Sequence, residues 1–288
     1  MKTLAIISAI LCGCGGENVD SGIVTDTYMD QEFCENPEYG GTVSGTPNCN
    51  DGICEIPAGS FWMGSTTGRD DECPPRIVEL SSFKIDQLEV SRGEYDLCVE
   101  DGGCEARPLE CGVPSDEWDS SMLPATCVDH AQASTYCEWA GGRLPTEAEW
   151  ERAGGGDDGV KWAWGNRSPT CDDANFRFVS WYCHTSVIEV GHYPNSISPW
   201  GLLDTAGNAW EWTSDYYDSD YYTYADNIDP LGPELCSLSK NQERGECHHR
   251  VIRGGAFNTT EDTTTSSARS FAHEDAADDN IGFRCAHL

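Results

Sequence analysis

Positive charge is scarce in this chain: 17 Lys and Arg stand against 50 Asp and Glu, a formal net charge of −33 over 288 residues. A field of that sign repels phosphate backbones and anionic headgroups and attracts divalent cations, so nucleic acid is excluded as a partner. Long apolar runs are missing too. The stretch Leu4 to Leu11 is far too short to cross a bilayer. No Gly-x-Ser-x-Gly elbow occurs, which leaves a Ser-His-Asp triad without positional support. No Cys-x-x-Cys follows Cys14 and the seven His are scattered, so a structural zinc or iron–sulfur site is not expected. No internal repeat of fixed period is visible.

What is present suits one large domain with an N-terminal extension. Apolar residues make up 38% of the chain and it carries ten Trp, enough to fill a core without a cofactor. Lys2, the apolar stretch and Leu11-Cys12-Gly13-Cys14 read as an export signal. Two versions fit: a lipoprotein signal over residues 1–13, cut before a Cys14 that becomes lipidated, or a plain secretory signal cut nearby. The first implies attachment to a membrane through a lipid anchor, on the periplasmic or cell-surface side, with the outer membrane the expected place. Of 16 Cys, setting aside Cys12 and Cys14 leaves 14, an even number suited to disulfides in an oxidising compartment. Short-range candidates are Cys98 with Cys104, Cys171 with Cys183 and Cys236 with Cys247.

Residues 14–51 are rich in Gly, Asp, Asn, Glu and Thr and read as an acidic, flexible tether, with Cys34 and Cys49 stapling its distal part. The domain is expected over 52–288. Short strands are expected at Ile56 to Ser65, Ile77 to Leu80 and Phe83 to Asp86. A helix follows with Ser91 as N-cap, and a second spans Asp129 to Ala140 with Ala131, Ala133, Tyr136 and Trp139 on one face. The clearest local signal is Thr146-Glu147-Ala148-Glu149, a capping box in which Thr146 and Glu149 each serve the other's backbone N–H. After Gly154-Gly155-Gly156 the composition predicts irregular structure and short strands.

Several blocks resemble the successive signatures of the formylglycine-generating-enzyme, or sulfatase-modifying-factor, family. They are Ile56-Pro57-Ala58-Gly59-Ser60-Phe61-Trp62-Met63-Gly64-Ser65, Glu89-Val90-Ser91, Gly142-Arg143-Leu144-Pro145-Thr146-Glu147-Ala148-Glu149-Trp150-Glu151 and Trp164-Gly165-Asn166. Gly207-Asn208-Ala209-Trp210-Glu211-Trp212, Arg253-Gly254-Gly255 and Gly282-Phe283-Arg284-Cys285-Ala286 continue the series in the family's order. The resemblance implies an irregular, disulfide-rich α+β fold with little regular secondary structure, related to the C-type-lectin fold. It also implies a cystine between Cys137 and Cys285, which would close a loop of nearly 150 residues.

Active members of that family hold copper on two cysteines after the Arg-Gly-Gly block and oxidise a substrate cysteine to formylglycine. Here those positions fall at Thr259 and Thr264, and no Cys lies between Cys247 and Cys285. Cu(I) is selected by sulfur donors and not by hydroxyls, so copper and that reaction are not expected. The family's calcium loop maps onto Asp204, Gly207, Ala209 and Glu211, a set of hard oxygen donors suited to Ca²⁺. A second calcium loop is half present, through Asn175 and Phe176.

Weaker features are His248-His249, read as solvated loop residues, and the run Asp215 to Tyr222, read as a solvated acidic loop or a binding surface. Two functional readings follow. One is a non-catalytic binding or scaffold module for a peptide, protein or glycan. The other is a family oxidoreductase acting on a protein or peptide by a cysteine-independent route, formylglycine-generating or like the exported siderophore-maturation branch.

Overall fold

The computed structural model describes residues 45–108, 121–239 and 243–288; the signal segment, Cys14 and Cys34 lie outside them. A four-stranded sheet runs in the order β1 (Cys49–Asn50), β2 (Ile53–Ile56), β5 (Phe83–Asp86), β10 (Ala286–His287). Its neighbour pairs β3 (Gly59–Met63) with β4 (Arg76–Leu80). A second four-stranded sheet has the order β8 (Arg269–His273), β7 (His249–Arg253), β6 (Trp210–Tyr216), β9 (Ile281–Gly282), with β9 parallel to β6. β1 falls inside the stretch read as tether, and Cys49 is bonded to Cys54 across its hairpin.

All three helices begin as local chemistry dictates. α1 (Arg92–Asp101) opens on Ser91 with Glu94, α2 (His130–Trp139) on Asp129 with Gln132, and α3 (Glu147–Gly155) on Thr146 with Glu149, each a reciprocal capping box. Arg143 forks onto the same Glu149 carboxylate at 2.6 and 2.7 Å, fixing the entry to α3. α1 stops at Gly102, φ +78°, where a residue without Cβ turns the chain. On α2 the buried face is Ala133, Tyr136 and Cys137, while Ala131 and Trp139 lie outside. The Cys137–Cys285 bond rotates that face inward, and the Trp139 indole N–H donates instead to Asp101 at 2.9 Å.

Two apolar clusters flank α3. One joins α1, α2 and the second sheet through Tyr95, Tyr136, Trp212 and Phe283. The other fills the space under β2 to β5 with Ile56, Phe61, Met63 and Val78. α3 is buried along its whole length between them, which is why its polar residues need partners.

The disulfides Cys98–Cys104, Cys171–Cys183, Cys236–Cys247 and Cys137–Cys285 are all formed. The last spans 148 residues and ties α2 to the strand end before β10. Replacing Cys137 and Cys285 together by Ala should lower stability by about 4 to 5 kcal/mol in the chain-entropy model. Urea unfolding of the oxidised proteins measures it, and a loss below about 1 kcal/mol would contradict a loop-closing role.

Candidate functional site

Glu147 and Glu151 sit one turn apart on α3 and face the paired strands β7 and β8, where Arg253 and Arg269 are cross-strand neighbours. Arg269 grips Glu147 with Nε at 2.6 Å and Nη2 at 2.9 Å. Arg253 pairs with Glu151 and reaches Glu147 at 3.3 Å. The Tyr222 hydroxyl, with one proton to donate, lies between the two carboxylates, 3.4 Å from Glu147 and 3.3 Å from Glu151. None of these groups is exposed. Burial opposes the Arg269 charge, yet Glu147 overcomes it and holds the guanidinium well above its ordinary range.

A second buried cluster adjoins the first through Trp150, whose ring centroid lies 5.5 Å from the Arg253 guanidinium. Arg284 meets Glu211 through Nε at 2.6 Å and Nη2 at 2.7 Å, and the Trp150 indole N–H adds a bond of 2.7 Å. Glu211, expected as a calcium ligand, is thus engaged at both oxygens. Glu89 accepts from Asn208 Nδ2 at 2.6 Å and from the Ala209 N–H at 3.1 Å. Asp204, in left-handed backbone at φ +58°, accepts the Gly191 N–H at 2.5 Å. Arg284 is in contact with Glu211, and its charge also reaches Glu89 and Asp204. Burial, then Asp204 and Glu211, push the Glu89 carboxyl well above its usual range, and burial pushes Asp204 up to about 6.

Residues of the expected calcium loop and of the half-present second one lie side by side. Asn175 accepts the Asn208 N–H through its carbonyl at 2.8 Å, and a Cβ on Gly207 (φ +83°) would stand 2.2 Å from that same oxygen. Gly207 has to be glycine on both counts. Asn175, Tyr193, Asp204, Thr205 and Asn208 line a cavity of about 10 Å³, room for one water-sized guest. Three buried oxygens from these residues, Asn175 Oδ1, Tyr193 OH and Thr205 Oγ1, have no hydrogen-bond partner among the described residues. Phe176 is core, packed with Trp162 and Ala174. Asp204 and Asn175 bring hard oxygen donors to this cavity, while the Glu211 carboxylate is paired with Arg284.

At the copper-cysteine positions the hydroxyls are spent on the protein itself. Thr259 Oγ1 accepts the Ala256 N–H at 2.9 Å, contacts the Ala256 carbonyl at 3.0 Å and receives the Thr263 hydroxyl at 2.8 Å. Thr264, fully buried, donates to the Glu261 carbonyl at 2.9 Å and accepts the Trp162 indole N–H at 3.1 Å. These two residues belong to one knot around the 3-10 turn Glu261–Thr263.

Beside that knot opens a cleft of about 500 Å³, between the loop Gly64 to Arg69 and the segment Asp262 to Ser267. Its walls are clipped together. Glu72 accepts the Arg69 N–H at 2.9 Å and the Ser267 hydroxyl at 2.8 Å, and Arg69 pairs with Asp262 at 3.2 Å. The Gly64 N–H is held by Glu151 at 2.7 Å, which ties the cleft to the α3 network.

The remaining sequence candidates divide. His248 and His249 lie beside His273, with His248 half exposed. The run Asp215 to Tyr222 is neither a solvated loop nor a binding surface: Asp215, Tyr217, Asp218, Tyr221 and Tyr222 are buried. Partners far along the chain enclose it, with Tyr217 donating to Asp71 at 2.8 Å and Arg244 pairing with Asp218 at 2.7 Å. Glu89 and the cleft were not found from the sequence. Glu89 had one signal, its place in the Glu-Val-Ser block; the cleft had none, being assembled from separate segments.

Comparison with known proteins agrees with this arrangement. The sulfatase-modifying factor enzyme 1-like domain matches residues 41–288. The formylglycine-generating enzyme of Streptomyces coelicolor is 30% identical, over 84% of this chain and 90% of its own. The structure of PvdO from Pseudomonas aeruginosa superposes with a TM-score of 0.63 at 25% identity, covering 82% of this chain and 94% of that one. Treponema denticola variable protein 1 gives 0.64 at 21% identity, over 82% and 94%, a likeness of fold. With its signature residues buried in the two clusters and the match running to its last residue, the chain belongs to the sulfatase-modifying factor enzyme 1-like, formylglycine-generating-enzyme family.

Proposed function

We propose that this family member is an exported, lipid-anchored binding module that holds a peptide or glycan in the cleft beside the former copper position and does not oxidise thiols. The observation that carries the reading is the hydroxyl knot. Thr259 and Thr264 stand where sulfur donors are needed, and both hydroxyls are occupied by backbone and indole partners. The cleft next to them is intact and within the size range of small-ligand sites. Lipidation at Cys14 and a place on the periplasmic or cell-surface side of the outer membrane are part of the same proposal, supported by the Leu11-Cys12-Gly13-Cys14 sequence.

A calcium ion is the proposed cofactor, held by Asp204 and Asn175. Three carboxylates against Arg284 leave this buried region short of positive charge, and a divalent cation would supply it where water cannot. The role is structural. It would pin the Asn175 loop to the Gly-Asn-Ala-Trp turn.

Incubation of the purified, disulfide-intact protein with copper, oxygen and a cysteine-containing sulfatase peptide should give neither oxygen uptake nor aldehyde by mass spectrometry. Turnover to formylglycine would overturn the binding reading. Thermal unfolding after chelator treatment should show a midpoint several degrees higher when calcium is restored, a shift that Asn175→Ala and Asp204→Ala each remove. An unchanged midpoint would overturn the calcium proposal.

A further inference from the structure

The cleft beside Thr264 recognises by hydroxyl and amide chemistry with one aromatic wall. Trp62, half-buried on β3, forms that wall; Asn166, Lys161, Thr265 and Ser266 present polar groups, and Val160 is its aliphatic side chain. Apart from Lys161, the charged side chains of the cleft are already engaged within the protein. Arg69 is paired with Asp262, Glu151 with Arg253, and Glu72 is held by the Arg69 N–H and the Ser267 hydroxyl. Lys161 lies over the Trp162 ring, its Nζ 4.5 Å from the centroid. An anionic ligand therefore meets no unpaired guanidinium here, and it must also approach against a net charge of −33.

A peptide fares little better. Strand addition needs open backbone, and β3 is covered on both sides at Trp62: β4 takes one edge, and the Trp62 N–H donates to the Asp157 carbonyl at 3.1 Å. Anchoring by side chains needs apolar pockets, and Val160 and Trp62 are the apolar side chains available. An uncharged ligand with many hydroxyls and a flat C–H face matches what remains. Its hydroxyls can exchange hydrogen bonds with both donors and acceptors, and its C–H face can lie on the indole.

The site is built before any ligand arrives. Ser65 Oγ accepts the N–H groups of Thr67 and Gly68 at 3.1 and 3.0 Å, and the Ser266 N–H donates to the Lys161 carbonyl at 2.9 Å. Gly155 forms part of the floor, where a Cβ would come within 2.8 Å of Ser266 Cβ. Such pre-organisation lowers the entropic cost of binding a flexible ligand.

We propose that this cleft is a saccharide site, taking an uncharged oligosaccharide with Trp62 as the stacking wall and Asn166, Lys161, Thr265 and Ser266 as hydrogen-bonding groups. The proposal rests on the binding reading given above and narrows its ligand. Saturation-transfer NMR and calorimetry on the disulfide-intact protein with cellotetraose, chitotetraose, maltotetraose and xylotetraose test it, alongside a tryptic casein digest as a mixed peptide probe. At least one oligosaccharide should bind, with roughly tenfold weaker affinity in Trp62→Ala and in the surface variant Asn166→Ala, and unchanged affinity in Thr135→Ala on α2. Circular dichroism confirms that Asn166→Ala is folded should Trp62→Ala not be. Oligosaccharide binding indifferent to both cleft variants would overturn the site. Peptides binding where sugars do not would overturn the saccharide assignment and leave the binding reading standing, and failure of both probes would overturn both.

Discussion

Glu147 has no access to water, and on its side of α3 the buried Arg269 and Arg253 arrange the fold around it. An unpaired charge at that depth would cost several kcal/mol, so the helix and the β7–β8 pair have to be placed together. The sequence of causes is short. A capping box starts α3 at Thr146, helical spacing puts Glu147 and Glu151 on one face, and the two arginines meet them from adjacent strands. Arg253 in turn fixes the Gly254-Gly255 turn, where a Cβ on Gly255 would lie 2.9 Å from the Thr263 carbonyl oxygen. The position of the Thr259 to Thr264 knot follows from that approach.

Scaffold and chemistry are therefore separable in this family member. Each signature block owes its side chains to burial: Trp150 and Arg284 to Glu211, Glu89 to the Asn208 side chain and the Ala209 backbone. None of those contacts uses the loop where copper would be bound. With threonines at that loop, the hydroxyls close on their own backbone and on Trp162, and the surrounding structure keeps its ion pairs. A hydroxyl that both donates and accepts inside the protein is satisfied; a thiolate pair would instead await a metal.

Much of this was legible from residues close together in the chain. The three helix starts, the strands at β3 to β5 and the short-range disulfides depend on neighbours within about a dozen positions, and sequence spacing reports them directly. The family blocks identified the fold and the Cys137–Cys285 bond. What stayed hidden depends on distant partners. Glu211 reads as an open carboxylate until Arg284, 73 positions on, is seen at both its oxygens. The acidic, tyrosine-rich run reads as solvated until Asp71, Arg244 and Arg269 enclose it. Asn175 and Gly207 read as parts of two loops, although their backbones touch.

Hydroxyls tied into their own backbone do not replace sulfur donors for monovalent copper. Titration of the disulfide-intact domain into a Cu(I)–bicinchoninate complex measures this directly. The chelator should retain its copper at every protein concentration. Stoichiometric transfer of Cu(I) to the protein, lost on changing Thr259 or Thr264, would show that the threonine loop binds copper after all.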